Sequence, residues 1–327
     1  MEIIHGVHNL TADHIGNVIT IGNFDGVHHG HQVLLHHLTA KSNELKVPSL
    51  LVTFEPQPRE FFAGSEVPPR LTRLREKVHL LQQTNLDRLL LFPFNERTAN
   101  TPAQWIAEEL LSEKLGAKYV VIGDDFRFGQ NREGDYEFMK AAGSKYGYGV
   151  SHLGTLKLEG ERVSSTRVRE VLAEGNFKLA EKLLGHEYFI MGRVVYGRQL
   201  GRQLGVPTAN IRLQRYKAAL EGVYCVTVEG IDDNDNGDQP NSESNKQANQ
   251  VYTGIANIGV RPTVDGKEPL LEVHVFDYSG NLYNQLLTVK FQHKLRDEQT
   301  FESIDALKAQ IDNDLVIAKT WFENNAV

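Results

Sequence analysis

At 327 residues, with 40% hydrophobic and 24% charged, the chain is long enough for two globular domains of ordinary composition. A formal net charge of −7 argues against a duplex nucleic-acid binder, which needs a clustered basic surface, and leaves room for local sites that hold small phosphates. One cysteine excludes an intramolecular disulfide, no apolar run is long enough to span a bilayer, and residues 1–6 lack the basic-then-apolar order of a secretory leader, so the expected location is cytoplasmic with no membrane partner.

Residues 18–22, 49–54, 89–92 and 119–122 are continuous apolar runs, the pattern of parallel strands buried on both faces. Helical spacing falls between them: Val33, Leu34, Leu38 and Leu45 within 31–45, then Leu74, Val78 and Leu81 within 71–83. Thr101 and Pro102 predict another helix start, with Thr101 as N-cap and Pro102 at the first helical position. This alternation predicts a doubly wound α/β sheet. Residues 166–174 and 177–184 read as successive helices, and Gly185-His186 as the boundary between domains 1–185 and 186–327. Strands then follow over 188–196, 222–228, 251–258, 270–276 and 287–295, and their Gly and Pro punctuation predicts a small β-barrel. Cys225 lies in one of these runs and reads as a buried structural thiol. Residues 232–250 are too polar to order themselves and read as a mobile insert between two barrel strands. Residues 303–322 predict a closing amphipathic helix with Ile304, Leu307, Ile311, Leu315 and Ala318 on one face.

The first chemical motif follows the first strong strand: Gly22-Asn23-Phe24-Asp25-Gly26-Val27-His28-His29-Gly30-His31. Glycines at 22, 26 and 30 permit tight turns, and the following helix points its free N–H groups at the loop, which makes an anion site. His28 and His31 can converge on that anion. A solvated helix start or a zinc site built from the clustered histidines is disfavoured by the glycine spacing and by the lack of supporting zinc ligands. Far downstream, Ser164, Ser165, Thr166, Arg167 and Arg169 combine hydroxyls and guanidinium groups at a loop-to-helix junction, as a phosphate clamp would. An N-cap at Ser164 or Ser165 is the plainer alternative. Phe54 and Phe62 in Thr53–Phe62, and Phe128 in Gly123-Asp124-Asp125-Phe126-Arg127-Phe128-Gly129, follow strands and could wall a flat aromatic ring, although ordinary core packing is open for each.

These motifs carry a resemblance. His28-His29-Gly30-His31 is similar to the HxGH signature of nucleotidylyltransferases. In order, GNFDGVHHGH, TFEPQPREFF, GDDFRFG and VSSTRVREVL resemble the adenylyltransferase module of prokaryotic bifunctional riboflavin kinase/FAD synthetases. The resemblance implies a Rossmann-like, HUP-type nucleotidylyltransferase domain. It implies an ATP site formed by Gly22, Asn23, Phe24, Asp25, Gly30, Ser164, Ser165, Thr166 and Arg169, with His28, His31 and Arg167 active in adenylyl transfer. Phe54, Phe62, Asp125 and Phe128 would bind the flavin.

In the second half, Gly197, Gly201 and Gly205 give a flexible loop ahead of Pro207-Thr208-Ala209-Asn210. It is not a Walker motif, and on these residues alone a glycine-rich hairpin turning at Pro207 is the better reading. Thr208 and Asn210 are neutral oxygen donors two apart, suited to Mg²⁺ beside nucleotide phosphates. PTAN, GIANIGVRPT, LEVHVFD and LRDEQTF resemble the riboflavin kinase module. That resemblance implies a riboflavin-kinase-like barrel in which Gly197, Gly201, Gly205, Thr208 and Asn210 hold Mg-ATP. Glu272 would act as base toward the riboflavin hydroxyl and Arg296 would approach the flavin or its phosphate. Alternation along the strand puts Glu272 and His274 on one side, which also permits a merely solvent-facing Glu272. Asn284 stands where relatives often carry Gly. The whole predicts an ATP- and Mg²⁺-dependent enzyme that phosphorylates riboflavin to FMN and adenylylates FMN to FAD. A different nucleotidyl acceptor and a non-enzymatic flavin sensor are the rival readings.

Overall fold

The computed structural model describes residues 1–197, 201, 205–232, 250–263 and 266–325. It divides into two compact units, Met1–Val67 with Thr72–Arg167, and Pro68–Leu71 with Val168 onward.

The first unit is a six-stranded sheet with every neighbouring pair parallel. Its strands are β1 (Glu2–His5), β2 (Asn17–Ile21), β3 (Ser49–Glu55), β4 (Arg88–Pro93), β5 (Ala117–Gly123) and β6 (Gly149–Leu153), in spatial order β1-β4-β3-β2-β5-β6. Val18, Ile19, Leu50, Leu51, Leu89, Leu90, Val120 and Ile122 are all fully enclosed, each contributing roughly 1.5–3 kcal/mol of burial. The order reverses between β2 and β5, so the loop leaving β2 lies at the switch point where open α/β sheets bind ligands. The helices of this unit are α1 (His29–Leu45), α2 (Pro58–Ala63), α3 (Leu74–Gln82), α4 (Glu96–Ala99), α5 (Ala103–Trp105, continuing π-helically over Ile106–Lys114) and α6 (Tyr136–Tyr146). A two-stranded hairpin, β7 (Lys157–Leu158) with β8 (Glu161–Arg162), precedes α7 (Ser165–Ala173).

Three local expectations need correction. The Thr101-Pro102 helix begins one residue later, with Pro102 in the N-cap position, because Glu133 supplies the capping acceptor to the Ala103 N–H at 2.7 Å. The inward face of α3 is rotated by one residue: Leu74 and Val78 are half-buried, while Glu76, Lys77, Leu80 and Leu81 are enclosed. And α1 starts two residues early, because the His28 ring itself caps the helix by accepting from the His31 N–H at 3.3 Å.

The second unit is a closed barrel in the order β10-β13-β12-β11-β14-β9. Its strands are β9 (Phe189–Val195), β10 (Ala209–Arg212), β11 (Gly222–Glu229), β12 (Tyr252–Thr263), β13 (Gly266–Val275) and β14 (Leu286–Arg296), and all paired neighbours are antiparallel. Residues opposite one another share a face. The rows Ala209–Val273–Ala256 and Ile211–Leu271–Ile258 are buried and fill the barrel. Residues 168–185 cluster with this unit. α8 (Phe177–Leu184) sets Phe177 against Tyr224 at 5.8 Å and Phe291 at 6.3 Å, and Lys294 donates to the Ala173 carbonyl. Asn284 adopts φ 64°, the left-handed region that Asn tolerates best after Gly.

The closing helix, α9 (Ile304–Asn324), covers an apolar patch on the outside of the barrel formed by Val223, Cys225, Ile255 and Phe276, using Ala318, Leu315, Trp321 and Phe322. Ile304 is 67% exposed and does not join that face as the spacing predicted; it stands at the first helical position, beyond the covered patch. The polar insert expected at 232–250 falls, apart from its two end residues, outside the described residues.

Candidate functional site

The loop from β2 to α1 is held in a conformation that its sequence does not favour. Phe24 and Val27 take φ 49° and 42°, costing on the order of 1–3 kcal/mol each, so the surroundings must over-determine the loop. They do so from four directions. The Asn23 carbonyl accepts from the Lys77 ammonium at 2.6 Å and from the Thr53 hydroxyl at 3.3 Å. The Asp25 carboxylate accepts from the Thr72 N–H at 3.0 Å and from its hydroxyl at 3.3 Å. The Thr72 hydroxyl accepts in turn from the Gly26 N–H at 2.9 Å. Finally, the Ser165 hydroxyl donates to the Asp25 carbonyl at 2.9 Å, bringing the start of α7 to the loop.

At the end of this loop His28 and His31 stack at 3.6 Å, and Phe24 stacks beneath His31 at 4.5 Å. Because the His31 amide is already capped, His29 and Gly30 carry the open N–H groups of the first turn, and the helix dipole adds to their pull on an anion. A Cβ on Gly30 would sit 3.3 Å from the His28 ring, so glycine there leaves the imidazole its place. Burial, then His28 and Lys77, holds the His31 pKa well below the ordinary histidine value. Its Nδ1 is enclosed and has no hydrogen-bond partner among the described residues.

Near the C-terminal ends of β3 and β4, Phe54, Phe61, Phe62 and Phe94 meet edge to face at 5.3–5.7 Å, with Phe62 69% exposed. Phe61 and Phe94 were not read from the sequence. Phe128 differs: it is buried, stacked on Phe126 at 5.2 Å and set against Phe138, so its ring packs the core. Asp125 pairs with Arg162 at 2.5 Å. Its neighbour Asp124 accepts from Thr155, which with Arg162 holds that carboxyl below the ordinary aspartate value.

In the second unit the decisive feature is one row of side chains. Asn210, Glu272 and Asn257 stand opposite one another across β10, β13 and β12, on the outward face. The Oδ1 atoms of Asn210 and Asn257, on either side of Glu272, are both enclosed without a donor among the described residues. Asn210 is 5% exposed, and its Nδ2 donates to the Thr208 carbonyl at 3.3 Å. Enclosed acceptors beside a carboxylate suit a hard cation or a substrate hydroxyl. The glycines close over them. A Cβ on Gly197 would lie 2.5 Å from the Asn210 amide, and one on Gly201 would meet the Val206 carbonyl at 2.4 Å and the Thr208 hydroxyl at 3.2 Å. Glu298 lies against Gly259, and burial together with Glu221 and Glu272 raises its pKa.

The FAD synthetase family matches residues 10–167 and the riboflavin kinase family residues 184–322. Three relatives named bifunctional riboflavin kinase/FMN adenylyltransferase match end to end. One from Haemophilus influenzae is 42% identical and covers 99% of this chain and 100% of its own length. One from Pseudomonas fluorescens is 46% identical, covering 98% and 97%. One from Escherichia coli K12 is 44% identical, covering 98% of each. The chain belongs to the bifunctional riboflavin kinase/FMN adenylyltransferase family. The motif resemblance, the two-module fold class and the expectation of a transferase of FMN and FAD biosynthesis are thereby borne out. A solved Streptococcus pneumoniae structure, described as a macrolide-efflux protein, shares the fold over 98% of this chain and 100% of that one, with TM-score 0.76 and 27% identity. Among the described residues here, no helix is long and apolar enough to cross a membrane.

Within this family member, the first unit brings Gly22, Asn23, Phe24, Asp25, His28, Gly30, His31 and Ser165 together. Ser164 caps α7 by accepting from the Arg167 N–H at 3.3 Å, as the plainer reading had it, and Thr166 is exposed. Arg167 is tied to β7–β8, pairing with Glu161 at 2.7 Å and donating to the Leu158 carbonyl at 2.9 Å. Arg169 clusters with the second unit, where it donates to the Pro69 carbonyl. Arg296 is committed to α9: three hydrogen bonds of 2.8–3.1 Å reach the buried Asp314 carboxylate, which Gln310 also contacts. Besides Phe61 and Phe94, the residues that sequence reasoning missed are Lys77, Asn257, Glu298 and Asp314. Asn257 and Glu298 do fall within the quoted ANIG and DEQ segments.

Proposed function

We propose that the chain makes FMN and FAD in succession, with one ATP-using site in each unit. The observation that carries this reading is the pairing, in one chain, of a donor-lined helix start at His28–His31 with an acceptor row centred on Glu272. In the barrel, Glu272 takes the proton from the terminal hydroxyl of riboflavin as that oxygen attacks the γ-phosphorus of ATP. Thr208 and Asn210 would hold Mg²⁺, which would neutralise phosphate charge; the Asn210 Oδ1, enclosed without a donor among the described residues, fits that role. In the first unit, the open amides of α1 with His28 and His31 hold the triphosphate while the FMN phosphate attacks the α-phosphorus and pyrophosphate leaves. Phe62, with Phe54 behind it, offers a face to the flavin, and Arg167 stabilises the departing pyrophosphate by exchanging its Glu161 partner for phosphate oxygens.

We assign the functional boundary to Gly185-His186, which the start of the riboflavin kinase match at residue 184 supports. We assign the protein to the cytoplasm, in keeping with its single, unpaired and buried cysteine. The test is to incubate the purified chain with riboflavin, ATP and Mg²⁺ and to separate the flavins over time. FMN should appear first and then convert to FAD. FMN without FAD would remove the adenylyltransferase reading, and no flavin product would remove both.

A further inference from the structure

Lys77 on α3 is fully enclosed, yet none of the recognised motifs includes it. Its ammonium donates to the Asn23 carbonyl at 2.6 Å and to the Thr53 hydroxyl at 3.3 Å. Asn23 is the second residue of the phosphate loop, and Thr53 donates to the same carbonyl at 3.3 Å. A neutral donor would satisfy that carbonyl without bringing a charge into the interior, where an ion is strongly disfavoured unless it does more than one thing. The surroundings show what else the charge acts on. His31 lies within its reach, and burial, followed by His28 and Lys77, holds that imidazole's pKa well below the ordinary histidine value.

We propose that Lys77 is a positioning residue for adenylyl transfer: it pins the Asn23 carbonyl, so setting the loop that leads into His28 and His31, and it supplies the buried positive charge behind the imidazoles. The inference rests on the adenylyltransferase reading of those two histidines. The ammonium does not touch the nucleotide; it acts through the loop and through His31. In the free enzyme burial, then His28 and Lys77, hold the His31 pKa well below the ordinary histidine value. The charged and titratable groups that bear on His31 are His28, Lys77 and the incoming phosphates, with Phe24 stacked on one side.

The experiment compares wild type with Lys77→Met and Lys77→Arg, using FMN and ATP for adenylylation and riboflavin and ATP for phosphorylation in the same preparations. For Lys77→Met, kcat/KM for ATP in adenylylation is expected to fall roughly 10- to 100-fold, with phosphorylation unchanged. The His31 Cε1–H NMR titration should move up in Lys77→Met, with burial still holding it below the ordinary histidine range, and stay unmoved in Lys77→Arg, which keeps the charge. Wild-type adenylylation by Lys77→Met, or an unmoved His31 titration, overturns the proposal. If Lys77→Met leaves the first unit unfolded, Thr53→Val decides. It keeps the ammonium and removes the second donor to Asn23, so adenylylation should drop several-fold with phosphorylation intact, and no drop overturns the anchoring role. A wild-type enzyme that makes no FAD from FMN would instead sink the underlying adenylyltransferase reading.

Discussion

In the first unit the groups we assign to phosphate are donors: the open amides of α1 and two stacked imidazoles, backed by a buried ammonium. In the barrel the groups assigned to Mg-ATP and riboflavin are acceptors: two enclosed amide oxygens on either side of a glutamate. On this proposal the same co-substrate is handled by opposite electrostatics. A donor-lined site attracts a polyanion directly, whereas an acceptor-lined site needs a cation between itself and the phosphates. The backbones differ to match. The donor loop is held in left-handed conformations by anchors on β3, α3, α7 and Thr72, while the acceptor row sits on regular strands. Two chemistries can thus share one chain without sharing a mechanism, and single substitutions should separate them.

The sharpest separation should come from Glu272→Gln. FMN formation is expected to fall by roughly 10²–10⁴, the usual worth of a positioned base, while FAD formation from supplied FMN is unchanged. Next, His28→Ala should lower FAD formation by roughly 10²–10³ and spare FMN formation, read by chromatography of the two flavins. Loss of both activities in either folded variant would break the comparison. Asn210→Ala should raise the Mg²⁺ concentration needed for half-maximal phosphorylation and leave the Mg²⁺ dependence of adenylylation where it was. The smallest effect concerns the frame. Asp314→Asn weakens the charge-assisted bonds that hold Arg296 to α9, so urea unfolding of the barrel should lose about 1.5–3 kcal/mol.

The strands legible in the sequence were those buried on both faces. β2, β3, β4 and β5 are continuous apolar runs of strand length, alternating with helical spacing, which is the pattern of buried parallel strands. β1 escaped notice because, of its four residues, only Ile4 is buried. β10 is equally short and follows Pro207, so it read only as an extended stretch around Thr208 and Asn210 and not as a separate barrel strand. α3 shows the deeper limit. Its apolar spacing pointed to Leu74, Val78 and Leu81, yet the enclosed face includes Glu76 and Lys77. Amphipathic patterning assigns charged side chains to water, so a charge placed inside for its own sake is invisible to it. The site divides the same way. His28, His31, Asn210 and Glu272 were legible because each sits in a motif with constrained spacing. Lys77 and Asp314 matter through partners more than ten residues away, and only folding reveals those partners.

The burial of Cys225 gives the chain a reporter of its own. The thiol lies wholly enclosed beneath α9, packed with Ala318, and burial pushes its pKa up to about 12. Thiol reagents need both access and thiolate, and the closed structure denies both. As the sequence contains no second cysteine, every labelling event counts one moment at which the helix has lifted from the barrel wall. Mass spectrometry of slow alkylation would then time that opening directly, with no engineered probe, and would show whether flavin or nucleotide holds the helix down.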